Sequence, residues 1–333
     1  MFKKLVIVGA LAALVAPASF AQSTAISGSV SVGVLATGAS GSAGDPNVTT
    51  LGGGANAINI TATENLGKGL TAGVDSQIRF NAATGDNNSA GVGNALFQTA
   101  NVYLTSNLGT VRLGKIGEAS NCGFDPWGCR GGAALSAGTG VSALIAGGST
   151  ANAVQFATPK VLGLGASYQT SLSTRNNERR VVSLDYEQGP LALQFLRSIN
   201  SPNTVVNGAV GAAETIASIT DEKGLGRSIG ASYNLGVAKL NVVNAVTENA
   251  AGAKTANVYS IGASAPMGPY TLLAGYNKSK TGGAYTATAA NDTKFSVGMD
   301  YALSKRTTLG ADVFKAEVAG GSTGYAVRAR HTF

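Results

Sequence analysis

The charged side chains of this chain fall where they could act on a solute. Arg79 and Arg112 alternate with apolar neighbours in their own segments, and Lys115 stands at the end of a segment that feeds the longest loop, residues 117–152. That loop carries Glu118, Asp125 and Arg130, and Arg130 is its last charge before Lys160. Further cations in polar phase are Lys239, Lys294, Arg328 and Arg330; the acids in that phase are Asp75, Asp185, Glu187, Asp300 and Asp312. Charges arrayed along one face of extended chain set the field that an ion meets; they do not break bonds. Each taken singly could equally be a solvated residue balancing another.

Bond chemistry finds no support. The sole histidine, His331, lies two residues from the end, so Ser-His hydrolysis and histidine-ligated metals are not built here. Gly52-Gly53-Gly54 lacks the strand, the helix and the Lys of a phosphate-binding loop. No carboxylate pair stands out, and no enzyme activity or cofactor is expected. Cys122 and Cys129 flank Phe124, Asp125, Pro126 and Trp127, the only tryptophan. Two thiols without a nearby histidine make a poor metal site. As a disulfide they would close a small ring, worth about 2.5 kcal/mol of chain entropy, and fix the loop tip. A pair of cysteines fits an oxidising compartment.

The elements that would hold these residues are strands. Val182, Leu184 and Tyr186 oppose Ser183, Asp185 and Glu187; Phe295, Val297, Met299 and Tyr301 oppose Lys294, Ser296 and Asp300. The same period of two recurs from Ser23 onward. In the last segment Tyr325, Val327, Ala329, His331 and Phe333 oppose Ala326, Arg328, Arg330 and Thr332. An apolar row backed by a charged row suits a strand with lipid outside and water inside. Short connections alternate with long ones, and eight long loops imply about 16 strands. Tyrosines in the apolar phase near strand ends suit interfacial girdles. Arg197 misfits, because it shares a phase with Leu193, Phe195 and Ile199. Either the strand bulges before it or it lies near the outer rim. A soluble sandwich would also alternate, but with its polar face outward and no reason for turns to alternate in length.

The ends and the composition agree. Lys3 and Lys4, an apolar run at residues 5–15, Pro17 and Ser19-Phe20-Ala21 read as a secretory signal cleaved after Ala21, leaving one domain at 22–333. The apolar run is too short to span a bilayer, and no later run approaches 18 apolar residues. Charged residues make up 12% of the chain, about half the usual share. The net charge of +7 falls to +5 without Lys3 and Lys4. In an exported chain without a basic run this argues against nucleic acid and leaves an acidic surface or anionic solutes as partners.

Five segments resemble the trimeric general porins of Gram-negative bacteria, most closely the beta-proteobacterial type. They are Thr63-Glu64-Asn65-Leu66-Gly67-Lys68-Gly69-Leu70, Asn107-Leu108-Gly109-Thr110-Val111-Arg112-Leu113-Gly114-Lys115, Asn152-Ala153-Val154-Gln155-Phe156-Ala157-Thr158-Pro159, Asp300-Tyr301-Ala302-Leu303-Ser304-Lys305-Arg306-Thr307 and Val327-Arg328-Ala329-Arg330-His331-Thr332-Phe333. The resemblance implies an all-β transmembrane antiparallel barrel of 16 strands in the outer membrane, with a third loop folded inward. It implies a homotrimer amid lipid and lipopolysaccharide, folded by the barrel-assembly machinery, that passes small hydrophilic solutes and ions. In such proteins the terminal row ending at Phe333 is an assembly signal. Lys115 matches a constriction position of the family. Ala57 and Gln155 stand where the family often carries Arg, so Arg79 and Arg112 are the cations left to supply that charge. The expected function is a passive water-filled channel, weakly anion-preferring; a substrate-specific channel or a plugged structural or adhesive barrel are the alternatives. Trp127 and Phe124 are the only hint of a substrate track.

Overall fold

A computed structural model describes residues 22–36, 46–51, 56–86, 96–127, 148–172, 179–200, 208–209, 212–213, 225–248, 254–281, 292–317 and 322–333. The expected leader, residues 1–21, lies outside them. Sixteen strands run through the described chain: β1 (Gln22–Ala36), β2 (Ala57–Gly67), β3 (Leu70–Arg79), β4 (Phe97–Ser106), β5 (Gly109–Gly117), β6 (Ser149–Ala157), β7 (Leu164–Ser171), β8 (Arg179–Gln188), β9 (Leu191–Asn200), β10 (Leu225–Asn234), β11 (Lys239–Glu248), β12 (Lys254–Met267), β13 (Tyr270–Thr281), β14 (Asp292–Ala302), β15 (Thr307–Ala316) and β16 (Ser322–Thr332). Each pairs antiparallel with its neighbours in sequence, and β16 pairs with β1 (Val32 opposite Ala329), so the sheet closes into a barrel. Closure removes the edges that an open sheet would leave unpaired.

Solvation is inverted relative to a protein built for water. Ile229, Ile261, Val297 and Val327 are 55–59% exposed, whereas Ser31, Ser228, Asn241 and Arg328 are at most 4% exposed. Serines, asparagines and many of the charged strand residues therefore line the inside, and the outside is a largely apolar surface suited to lipid. Two tilted aromatic pairs sit on it at different heights: Tyr270–Tyr301 at 4.9 Å and Tyr276–Phe295 at 5.0 Å between ring centroids.

Three details differ from simple alternation. First, the expected first loop contains a strand: Asn47–Thr50 pairs with the upper part of β1 and β2 pairs with its lower part, so β1 has two partners on that edge. Where the two meet, Asn56 is fully buried and its Oδ1 accepts from the Ser31 amide. Leu51 packs with Leu35, Phe314 and Ala326. Second, β6 begins at Ser149, inside the expected third loop, and its register against β5 shifts between Gly114 and Ile116. Gly114 has φ +133° and Asn152 φ +50°. Third, the short turn after β2 is tighter than expected, because β2 runs on to Gly67 and Lys68 takes φ +52°.

The seam between the two ends rests on the last residue. The Gly28 amide donates to the Phe333 carbonyl at 2.9 Å and the Phe333 amide returns to Gly28 at 3.0 Å. A Cβ on Gly28 would lie 2.6 Å from the Phe333 ring, so only glycine leaves that ring room.

Candidate functional site

One inner wall is made by β2–β5. Asn59 on β2 accepts from Gln77 at 2.8 Å, and Gln77 accepts from Arg79 Nε at 2.7 Å. Arg79 is thereby oriented by a neutral amide, and its charge is not cancelled by that contact. Below it, the Arg112 guanidinium lies 4.9 Å from the Tyr103 ring centroid, donates to Asn101 Oδ1 at 3.1 Å and approaches Asp75 at 3.6 Å. Tyr103 is fixed in turn by Thr63 at 2.9 Å. The two arginines thus share one wall at different depths. The positions where basic residues were expected are filled otherwise: Ala57 is buried opposite Arg79, and Gln155 donates to Gln169 at 2.9 Å.

Lys115 follows the bulge at Gly114 and pairs with Ala100. Counting by two from Arg112 puts it with Val111 and Leu113; the register with β4 is unbroken there, and the irregularity lies on the β6 side. Three residues on, Glu118 is drawn away from the lumen. Its carboxylate is bridged by Arg179 of β8 through two nitrogens and accepts from Thr150 Oγ1 at 2.6 Å; only 1% of the side chain is exposed. Glu118 therefore anchors the root of the third loop to β6 and β8 rather than presenting charge to a solute.

The next described residues lie against the polar rows of the far wall. Ser120 caps a single 3-10 turn, Asn121–Phe124, by accepting from the Cys122 amide at 3.2 Å. Asn121 donates to Gln194 of β9 at 2.9 Å and accepts from Ser228 of β10. The Phe124 ring covers Gly230 and the Pro126 ring covers Gly262, where a Cβ would meet them at 2.6 and 2.5 Å. Asp125 is buried and accepts from the Trp127 amide at 2.9 Å, closing the turn. Trp127 is 1% exposed and donates its indole N–H to Asp312 Oδ1 at 2.9 Å. Asp312 and Asp300 both bind Arg328, which is 4% exposed. Gly298 and Gly310 make the space, since a Cβ on either would strike Asp312 or Arg328.

The charges named from the sequence therefore divide. Arg79 and Arg112 come together on one wall. Glu118 and Asp125 are consumed in holding the third loop. No cysteine is free among the described residues; Cys129 and Arg130 lie outside them. Tyr325, Val327, Ala329, His331 and Phe333 all stand on the exposed outer row, with His331 Nδ1 at 2.9 Å from Thr307 Oγ1. Sequence reasoning missed Arg179 altogether and did not group Asp300, Asp312, Arg328 and Trp127. The small residues at 298 and 310, facing large ones across the sheet, were the available signal. Among the described residues no group of three or more His, Cys, Asp or Glu could hold a metal.

Comparison with known proteins follows the same lines. Residues 9–318 match the Gram-negative porin family. Outer membrane porin protein 32 of Delftia acidovorans is 29% identical over 291 residues, spanning 78% of this chain and 74% of that protein. An anion-selective porin from Comamonas acidovorans superposes with a TM-score of 0.73 at 23% identity, over 94% of this chain and 100% of that one. The trimer form of Vibrio cholerae OmpT gives a TM-score of 0.65 at 13% identity, over 94% and 100%.

Proposed function

Because this chain belongs to the Gram-negative porin family and is an outer-membrane channel, we propose that its lumen is a passive, water-filled path with a weak preference for anions. The observation that carries this reading is how the inner acids are used. Asp300 and Asp312 are held by Arg328, Glu118 by Arg179, and Asp75 lies beside Arg112. Arg79 is held only by an amide. Asp185 is the counterweight, accepting from Gln194 at 2.6 Å and Ser183 at 2.8 Å. The overall charge of +5 that remains without Lys3 and Lys4 tips the balance. The name of the Comamonas porin, anion-selective, supports the same direction.

In this reading the third loop narrows the lumen, with Arg79, Arg112 and Lys115 on one side and the loop tip, including Arg130, on the other. A Cys122–Cys129 disulfide stiffens the tip. Glu118 and Asp125 contribute by position, not by field. The channel passes small ions and hydrophilic solutes without a specific binding track, since Trp127 is packed away from the path. The row ending at Phe333 serves as the mark read by the assembly machinery, the leader is removed after Ala21, and the working unit is a homotrimer, in keeping with the trimer form of the Vibrio porin.

The test is a planar-bilayer recording of purified, folded protein under a salt gradient. Conductance in steps of three with a reversal potential on the anion side is expected. A reversal on the cation side would overturn the proposed selectivity, and a silent but folded barrel would overturn the open path.

A further inference from the structure

Four apolar side chains break the polar pattern of the inner wall on β9–β12. Leu196 on β9, Val243 and Ala245 on β11 and Val258 on β12 share the inward phase of Ser198, Asn241 and Ser260, and all four are at most 1% exposed. An apolar patch on the wall of a wet lumen is unfavourable unless something covers it. Ala119 and Phe124 of the third loop pack against it.

The polar contacts of the loop do not by themselves fix how close it comes. Asn121 donates to Gln194 and accepts from Ser228, but a hydrogen bond in a wet lumen exchanges with water and tolerates a range of lengths. Van der Waals contact sets a hard limit, because packed atoms resist any closer approach. Gly230 supplies that limit. It lies between Gln194 and Val243 across the sheet, and a Cβ on it would fall 2.6 Å from the Phe124 ring. The ring therefore rests on bare backbone, as near to the wall as it can come. Further along the loop, Pro126 rests on Gly262 and Trp127 is moored at Asp312.

We propose that Phe124 is a positioning residue: seated on Gly230 beside the apolar patch, it is the stop that sets how far the third loop stands from β9–β12, and so the width of the path left to solutes. The inference rests on the reading of the lumen as an open path narrowed by this loop. Glycine at position 230 gives the widest setting, and any larger residue lifts the loop into the path. Gly230 does not occupy the left-handed region, so a side chain added there strains the contact with the ring and not the backbone.

The test is single-channel recording of the full-length folded protein, native against G230A, G230V, F124A and G230V/F124A, with the gel conversion temperature and tryptophan emission of each. Trp127 is the only tryptophan of the chain, so its emission reports the mooring at Asp312. Conductance is expected to fall with the size of the residue at 230, by about twofold in G230V. It should return toward the native level in G230V/F124A, where the missing ring makes room. F124A alone should broaden the spread of conductances. The reversal potential should hold in all four, since no charge changes, and Trp127 should stay buried. Native conductance in G230V, or a fall that F124A does not relieve, overturns the proposal. So does a red shift in G230V as large as that in D312A, which would mean that the whole loop has left the wall. If G230V does not fold, native-like conductance in both G230A and F124A overturns the proposal instead. A silent native barrel would strike the open-path reading; a conducting native barrel indifferent to position 230 would strike this inference alone.

Discussion

Two stretches of inner wall use arginine in opposite ways. On β3–β5, Arg79 is steadied by the neutral amide of Gln77, which leaves its charge in place, while Arg112 is steadied by Asn101 and the face of Tyr103 and is offset in part by Asp75 at 3.6 Å. On β14–β16, Arg328 is buried between Asp300 and Asp312, and Asp312 also takes the Trp127 indole. The first arrangement leaves a positive field for a passing ion. The second makes a fixing point for the third loop and, with two carboxylates to one guanidinium, adds no positive field. The difference teaches that a count of lumen cations is a poor guide to selectivity until each partner is known.

The largest expected effect is from breaking the fixing point. Asp312→Ala leaves Arg328 with one carboxylate and frees Trp127, and removing one partner of a buried pair costs about 3–5 kcal/mol. The temperature at which the folded form converts on a gel should fall clearly; an unchanged midpoint would show that this wall is not an anchor. Glu118→Gln should come next. It weakens the bridge to a quarter-exposed Arg179, at about 1–2 kcal/mol, and should also broaden the distribution of single-channel conductances as the loop root loosens. Arg112→Lys is expected to cost about 0.5–1 kcal/mol, because an ammonium cannot both stack on Tyr103 and reach Asn101. Arg79→Gln should change stability by less than about 0.5 kcal/mol, yet move the reversal potential toward cations. If Arg79→Gln destabilised as Asp312→Ala does, or left the reversal potential where it was, the contrast between the walls would collapse.

Much of this was legible beforehand. Period-two alternation assigns each residue to a face without knowledge of its neighbours, so the strands, their number and the polar lumen followed from residues such as Val182 to Glu187. Alternation says nothing of who stands opposite. Trp127 and Asp312 are 185 positions apart, and Arg179 reaches Glu118 across 61. Such pairs depend on how the third loop is laid across the wall. Nor does alternation reveal a register shift such as the one between β5 and β6 at Gly114 and Ile116. The strand Asn47–Thr50 was hidden for a different reason, since four residues carry too little pattern to separate from a loop. Arg197 was visible as an anomaly; no bulge turns it inward, and it stands exposed on the outer row of β9 opposite Arg227.

The seam at Gly28 and Phe333 has a bearing on how the barrel is made. β1 can find β2 at once, but its other edge stays open until β16 arrives. Joining distant segments is not forbidding in itself, because the entropy of closing a loop grows only with the logarithm of its length. The hazard lies in the waiting time, during which two unpaired edges offer templates to any other chain. Yield is then a contest between ring closure within one molecule and strand exchange between molecules. Dilution and a guarded edge would decide that contest more than any added contact energy in the finished barrel.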